Sequence, residues 1–172
     1  LAPNYSEILP SEVNTSINLT ESLNIKIPLL SSAMDTVTES SMGIAMGQAG
    51  GLGIIHRNLS IEEQIKEIRK VKSKKILVGA AVGASDKEFK RAQKILKENL
   101  DIIVIDTAHG HTKKVANIIQ KIKKLRPKKT AICAGNIATA EAAKFLVELG
   151  VDIIKVGIGP GSICTTRLVA GI

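Results

Sequence analysis

Short apolar runs alternate with longer amphipathic segments along nearly all of the 172-residue chain. This alternation is typical of βα units, in which helices connect the parallel strands of one sheet. The sequence therefore predicts an α/β fold. The six predicted strands span residues 27–31, 51–56, 76–82, 101–105, 130–134 and 153–156.

Residues that cap helices mark the starts of the segments between these strands. Ser60 and Ser85 are each followed, three residues later, by a glutamate, which is the spacing of a capping box. Thr38, Thr112 and Thr139 stand where N-caps are expected. We therefore predict that helices follow the strands and begin at these residues.

The residues that follow the predicted strands are polar, glycine-bearing or reactive. Active sites of (β/α)8 barrels are built at the carboxyl ends of the strands. A doubly wound sheet, the alternative, concentrates its ligand groups at one switch point. We predict a TIM barrel, of which residues 27–172 supply about the first six βα units, preceded by an extended arm at residues 1–26 with at most one short strand pair. The remaining strands are expected from residues beyond 172 or from a companion chain.

The segment from Gly157 to Arg167, after the sixth predicted strand, is the most distinctive part of the sequence. Its glycines permit positive φ and leave carbonyls and amides free to bind ions or phosphate. Cys164 lies among hydroxyls and a cation, which favour the thiolate. We predict that Cys164 is a nucleophile; the alternative is a glycine-rich turn with an incidental buried cysteine. Cys133, inside a predicted strand, is interpreted as a packing residue.

Asp106, His109 and His111 leave two interpretations open. Two histidines at strand-like spacing point the same way, so with Asp106 they are candidate ligands of a divalent metal. Alternatively, Asp106 accepts hydrogen bonds from a ribose, as acidic residues do at the strand ends of dinucleotide sites.

Composition limits the classes of partner. The net charge is +8, but many lysines lie on amphipathic segments, where a solvated face explains them, and aromatic residues make up only 2% of the chain. Stacking platforms for nucleic acid are thus missing, and attraction of small anionic substrates is an equally economical use of the charge. No apolar stretch is long enough to cross a bilayer, and the two cysteines are no disulfide framework. We expect a soluble cytoplasmic protein without a secretory leader.

Several motifs together resemble those of the inosine-5′-monophosphate (IMP) dehydrogenase family. The segment from Gly157 to Arg167 is similar to the catalytic loop of that family. Residues 31–39 are similar to its first-strand signature, and residues 104–111 are similar to its cofactor segment. Residues 50–56 and 134–136 also match, and the resemblance runs through the whole chain. GMP reductase shares the barrel and the cysteine loop, but its first-strand and fourth-strand motifs differ.

The resemblance implies NAD-dependent oxidation of IMP to XMP through a covalent thioimidate on Cys164, the committed step of guanine nucleotide synthesis. It also implies potassium as an activating ion and a homotetramer of barrels. GMP reductase, a non-catalytic half-barrel that binds a partner, and a hydrolase with a metal at His109 and His111 are the alternatives.

The resemblance also assigns roles to individual residues. Cys164 would attack the substrate, and Thr166 would help to orient the water that releases the product. The implied contacts are Asp106, Gly157, Ile158 and Gly159 with NAD; Ser32, Met34, Asn136 and Ser162 with IMP; and the carbonyls of Gly159, Gly161 and Cys164 with potassium.

Two departures from the family pattern are visible. The regulatory CBS modules that usually follow the second helix have no room between about residues 72 and 75. The C-terminal part of the barrel, which in the family carries further phosphate contacts and the residues that activate water, is also absent from these 172 residues. The resemblance thus supplies a nucleophile without its hydrolytic base.

Overall fold

The structure, a computed structural model, describes residues 4–159, 161 and 164–171. The strands are β1 (Ile17–Thr20), β2 (Leu23–Ile25), β3 (Leu30–Ser31), β4 (Leu52–Ile55), β5 (Val78–Val82), β6 (Ile102–Asp106), β7 (Ala131–Ile137) and β8 (Ile153–Val156). The α-helices are α1 (Ser40–Gln48), α2 (Ile61–Lys72), α3 (Asp86–Ile95), α4 (Lys113–Leu125), α5 (Ala140–Glu148) and α6 (Thr166–Ala170), and single turns of 3-10 helix span Pro10–Glu12 and Leu96–Glu98.

Strands β3 to β8 form one parallel sheet in strictly sequential order, a curled half-barrel. All six predicted strands are present, although β3 is shorter than predicted and β7 longer. A doubly wound sheet would reverse its strand order at a switch point. The order here does not reverse, so that alternative is wrong, and the fold corresponds to the first six βα units of a TIM barrel.

Side chains of the sheet pack on both of its faces. On β6, Ile103 and Ile105 pack with the helices in one buried cluster, whereas Ile102 and Val104 face the inside of the half-barrel in a second cluster. A strand covered on both faces needs an almost continuous apolar run, which is what the sequence shows.

Strands β1 and β2 pair as an antiparallel hairpin, which confirms the short strand pair predicted in the arm. Leu23 and Ile25 of the hairpin are buried in the inner cluster, together with Leu52 and Ala131 from the first positions of their strands. The hairpin thus covers the amino ends of the strands and leaves their carboxyl ends open.

The N-terminus of α1 is capped from a distant part of the chain. The prediction that Thr38 caps it is wrong, because α1 begins at Ser40 and its N-cap residue, Glu39, makes no capping hydrogen bond. Instead, the Ser40 N–H donates to Oε2 of Glu67 on α2, at 2.8 Å. Burial alone would raise the pKa of Glu67, but the hydrogen bonds from Lys70 and Ser40 outweigh it and lower the pKa to about 2.

Three of the other four predicted caps are confirmed in full. Ser60 and Glu63 form the reciprocal hydrogen bonds of a capping box, and Thr112 and Thr139 each accept an N–H of the first helical turn. Ser85 accepts the Glu88 N–H, but the Glu88 carboxylate does not return the bond, because it is engaged elsewhere.

The outer helix faces carry the positive charge. The lysines of the predicted amphipathic segments are exposed, which confirms that these faces are solvated. They are Lys66, Lys70, Lys90, Lys94, Lys113, Lys114, Lys121 and Lys124. Within the described ranges, no helix combines the length and the apolarity that a membrane span requires.

Candidate active site

A cavity of about 420 Å³ lies at the carboxyl ends of the strands. A larger groove of about 720 Å³ lies between α3 with its following 3-10 turn and the end of α4, and its lining carries no cysteine, serine or histidine. We therefore place the site in the cavity at the strand ends. Ile158 and Gly161 do not line the cavity, and Ser162 lies outside the described residues. The predicted site residues that do line it are Ser32, Met34, Asp106, Asn136, Gly157, Gly159, Cys164 and Thr166.

Cys164 is a half-buried free thiol whose Sγ lies 3.2 Å from the hydroxyl oxygen of Thr166. The hydroxyl of Thr166 and then its backbone N–H stabilise the thiolate, and Arg167 adds a favourable charge, so the pKa of Cys164 is lowered from its ordinary value. A thiolate is the nucleophilic form of cysteine. The geometry thus gives Cys164 the property that covalent catalysis needs.

Asp106 ends strand β6, and its Oδ1 accepts a hydrogen bond from Nζ of Lys155 on β8 at 2.7 Å. The two side chains span β7, which lies between their strands. Both remain partly exposed to the cavity, so the carboxylate keeps an oxygen available for a further donor.

Asn136 lies near the end of β7 and holds the start of the cysteine segment. Its Nδ2 donates to the Gly157 carbonyl at 2.8 Å. Its Oδ1 is buried and has no partner among the described residues. An unpaired buried acceptor costs about 1–3 kcal/mol. A ligand that donates a hydrogen bond to this oxygen would remove that penalty.

Ser32 and Met34 belong to the loop after β3, which Thr38 holds in place. Thr38 is fully buried, and its hydroxyl donates to the Ser32 carbonyl at 2.5 Å. The Met34 carbonyl accepts the Thr38 N–H at 3.1 Å, while the Met34 side chain is 58% exposed at the cavity. A threonine predicted to cap a helix therefore shapes the cavity wall instead.

The histidines do not form a metal centre with Asp106. The rings of His109 and His111 are 6.4 Å apart, and His111 packs on Phe145 with 4.7 Å between ring centroids. No group of three potential metal ligands comes together anywhere in the described ranges. The hydrolase alternative thus gains no support from the geometry.

The predicted packing role of Cys133 agrees with its place in the inner cluster. It is 6% exposed, and burial raises the pKa of its thiol to about 12. Cys133 is therefore no rival to Cys164 as a nucleophile.

The three carbonyls expected to hold potassium, those of Gly159, Gly161 and Cys164, lie within the described residues. Gly159 is buried with φ of +50°, a left-handed conformation that glycine adopts without strain, and the Gly161 carbonyl accepts the Cys164 N–H at 3.1 Å. A carbonyl oxygen has two lone pairs, so this hydrogen bond leaves one of them for a cation. The chemistry of the three carbonyls is compatible with a monovalent ion.

The two cationic residues of the cavity lining, Arg57 and Lys155, were not assigned a role from the sequence. Lys155 is a polar residue inside an otherwise apolar strand, at the inward-facing position nearest the carboxyl end. Arg57 comes two residues after the end of β4, next to the buried His56. This place after a strand is the only local feature of the sequence that points to a position in the cavity.

A family model described as the IMP dehydrogenase / GMP reductase domain matches residues 1–172. Among curated proteins, the chain is 42% identical to the inosine-5′-monophosphate dehydrogenase of Borreliella burgdorferi and 41% identical to that of Cryptosporidium parvum. It is 31% identical to the enzyme of Bacillus subtilis with the same name. Each comparison covers the whole of this chain.

The chain spans 55%, 53% and 61% of the lengths of these three relatives. The alignments extend over 222, 216 and 300 residues, more than the 172 of this chain, so the relatives carry residues inside the matched region that have no counterpart here.

Proposed function

Because the chain belongs to the IMP dehydrogenase / GMP reductase family, we propose that it carries the nucleophile and much of the nucleotide site of an enzyme that oxidises IMP to XMP with NAD. The observation that supports this most directly is the lowered pKa of Cys164, in a cavity at the carboxyl ends of parallel strands. The substrates are inferred from the family, and the nucleophilic chemistry is inferred from the residues of the cavity.

In the proposed first step, the Cys164 thiolate attacks C2 of the hypoxanthine ring. The Sγ–C2 bond forms, and the C2–H bond breaks with its electron pair. NAD, when bound, accepts that hydride. The chain contributes the thiolate, which the Thr166 hydroxyl 3.2 Å away stabilises before the attack.

In the second step, water adds to C2 of the thioimidate, the C–S bond breaks, and XMP leaves. Thr166 is close enough to the sulfur to orient that water. Among the described residues that line the cavity there is no histidine or unpaired carboxylate to act as base. We propose that the base lies in the part of the relatives that this chain does not span.

The residues around Cys164 fit two nucleotide ligands. Asn136 offers its unpaired Oδ1 to a hydroxyl or ring N–H of IMP, with Ser32 and Met34 on the facing loop. Asp106 offers a carboxylate oxygen to a ribose hydroxyl of NAD, beside Gly157. We further propose potassium at the carbonyls of Gly159, Gly161 and Cys164, a homotetramer and a cytoplasmic location.

Turnover by the complete protein tests this function. With IMP and NAD, we expect NADH formation, and in acid-quenched mixtures a Cys164 peptide that carries the nucleotide. Cys164→Ala should abolish both, whereas Cys133→Ala, the matched control, should cost stability but leave the chemistry intact. Reduction of GMP by NADPH, without oxidation of IMP, would instead indicate GMP reductase. Nucleotide binding without either reaction would indicate a binding module.

A further inference from the structure

Arg57 brings to the cavity a positive charge that the described residues leave unpaired. The two cations of the cavity lining are Arg57 and Lys155. Lys155 is paired with Asp106, whereas Arg57 is in no ion pair with any residue that the structure describes. The cavity therefore has an excess of positive charge at one defined point, the carboxyl end of β4.

Gly83, just after β5, leaves room for the Arg57 guanidinium. A Cβ at position 83 would lie 3.4 Å from Cζ and 3.5 Å from Nη1 of Arg57, and 3.1 Å from Cγ of Glu88. The φ of Gly83 is outside the left-handed region, so its backbone does not require glycine. The guanidinium therefore packs beside Gly83 at contact distance, and the tightest neighbour of position 83 is Glu88.

Buried side chains fix the backbone on both sides of Arg57. Gln64, which is fully buried, donates from Nε2 to the carbonyls of His56 at 3.0 Å and Ala81 at 2.9 Å. Arg91, which is 4% exposed, donates to the Leu59 carbonyl at 2.9 Å. Buried side chains of α2 and α3 thus hold the carbonyls of His56, just before Arg57, and of Leu59, two positions after it.

The same network also fixes Gly83. Arg91 donates to Oε1 of Gln64 at 3.0 Å and to Oε1 of Glu88 at 3.1 Å. The other oxygen of Glu88 accepts the Gly83 N–H at 2.8 Å. Gln64, Glu88 and Arg91 therefore hold the loop that carries Arg57 and the glycine under its guanidinium in one arrangement. A network that is satisfied in this way is rigid.

We propose that Arg57 binds a phosphate group of a nucleotide in this cavity and that Gln64, Glu88 and Arg91 are its positioning residues. A guanidinium presents a planar fork of donors that matches phosphate oxygens, and the network fixes the backbone from which the exposed Arg57 side chain extends. The inference rests on the proposed function for the identity of the nucleotides. IMP carries a monophosphate and NAD a pyrophosphate, and the chemistry that Arg57 recognises is common to both.

Binding to the complete protein tests the proposal, with Arg57→Met as the main variant and Lys124→Met, an exposed cation on α4, as the control. The probes are inorganic pyrophosphate, NAD, IMP, and inosine as the analogue of IMP that lacks the phosphate. We expect Arg57→Met to weaken the binding of pyrophosphate and of one of the nucleotides about tenfold to hundredfold. Lys124→Met should change the affinity for neither. A loss for IMP but not for inosine assigns the monophosphate, and a loss for NAD assigns the pyrophosphate.

Gly83→Ala provides a second variant, which alters no charge. Its Cβ would lie 3.1 Å from Cγ of Glu88 and should therefore shift this positioning residue and weaken binding of the same probe in the same direction. Arg57→Lys should restore part of the affinity that Arg57→Met loses. Equal losses for IMP and inosine, or unchanged pyrophosphate and nucleotide binding in Arg57→Met, would overturn the proposal. If the wild type does not oxidise IMP but binds pyrophosphate through Arg57, the proposed function fails and this inference stands.

Discussion

Cys164 and Cys133 are both free thiols, but their surroundings shift their pKa values in opposite directions. Cys164 has hydrogen-bond donors and a nearby arginine, which favour the charged form. Cys133 is enclosed by apolar side chains, which disfavour it. The same residue type thus serves reactivity at the cavity and packing inside the half-barrel.

This difference predicts the pH dependence of alkylation. Because the pKa of Cys164 is lowered, iodoacetamide should modify it at a lower pH than an ordinary thiol, and Thr166→Val should move the midpoint of its rate profile to higher pH. Cys133 is the internal control and should react only when the protein unfolds. Peptide mass spectrometry over a pH series measures both. An unchanged midpoint in Thr166→Val would show that the hydroxyl does not stabilise the thiolate.

Asp106 allows a test of cofactor recognition. We expect Asp106→Asn to weaken the binding of NAD more than that of IMP, because a ligand hydroxyl loses a charged acceptor. The expected loss of binding free energy for NAD is about 1–3 kcal/mol. The matched control is Asp101→Asn, since Asp101 pairs with Lys72 just before the other end of β6, as Asp106 pairs with Lys155. Titration of each ligand measures the effect. Equal losses for NAD and IMP would indicate that the Asp106–Lys155 pair is structural.

Helix α1 depends on a carboxylate from its neighbour α2. An anion at a helix N-terminus satisfies a free N–H and interacts favourably with the helix dipole. Glu67 does this for α1 through Ser40, and the hydrogen bond from Lys70 together with that from Ser40 lowers its pKa to about 2.

The stabilisation by Glu67 should therefore depend on pH. The folded pKa lies below the ordinary 4.5, so the contribution is complete above pH 4.5 and is lost as the pH falls towards 2. The shift corresponds to on the order of 3 kcal/mol. We expect Glu67→Gln to lower the unfolding free energy at neutral pH, with a difference from wild type that shrinks over this range. Urea unfolding of the complete protein measures this, and Glu141→Gln, an exposed site on α5, should show no such gap.

Helix α1 also packs unusually close to β4. A Cβ on Gly53 would lie 2.5 Å from Cα of Gly43, a backbone atom that cannot move aside. We expect Gly53→Ala to cost at least about 2–3 kcal/mol through overpacking. The nearest atom to a Cβ on Gly43 would be Cγ2 of Val71, at 3.1 Å, which is a side-chain atom, so Gly43→Ala should cost less. Thermal unfolding of both variants compares them, and equal costs would contradict the close approach.

The elements that could be predicted from sequence are those with a local cause. Burial on both faces gives each parallel strand its apolar run, and the Ser60, Thr112 and Thr139 caps bond within one helical turn. The cap of α1 could not be predicted, because Glu67 lies 27 residues from Ser40 and no spacing rule links them.

The same limit applies to the site. Cys164, Asp106 and Asn136 could be expected to meet, because parallel strands bring their carboxyl ends together. The network that fixes the backbone around Arg57 could not be predicted. Its members, Gln64, Glu88 and Arg91, come from two helices, and each by itself is an ordinary polar residue of an amphipathic segment. Only the fold shows that they are buried and joined.

Among the residues that the structure describes, both edges of the six-stranded sheet are unpaired. Strands β3 and β8 each have one neighbour within the described residues. Leu30 on β3 is 41% exposed and Val156 on β8 is 71% exposed. Unpaired edges with apolar side chains favour association.

We therefore expect the 172 residues, expressed alone, not to be a stable monomer. Sedimentation or light scattering should detect dimers or larger species, because the open edges would pair between copies. A companion polypeptide with the remaining strands, supplied in trans, should reduce this association. A monodisperse monomer that unfolds cooperatively would refute the expectation and indicate a self-contained sheet.

Each strand from β4 to β8 pairs with the strand that precedes it in the chain. On the ribosome, a strand that emerges thus finds its hydrogen-bonding partner already synthesised. Chains grow at roughly 5–20 residues per second and domains begin to fold from the amino end, so the sheet can extend one unit at a time. The segment with Cys164 and Thr166 follows β8 and is made after the other described residues that line the cavity. The part of the cavity wall that β3 to β7 supply can therefore form before the reactive thiol exists.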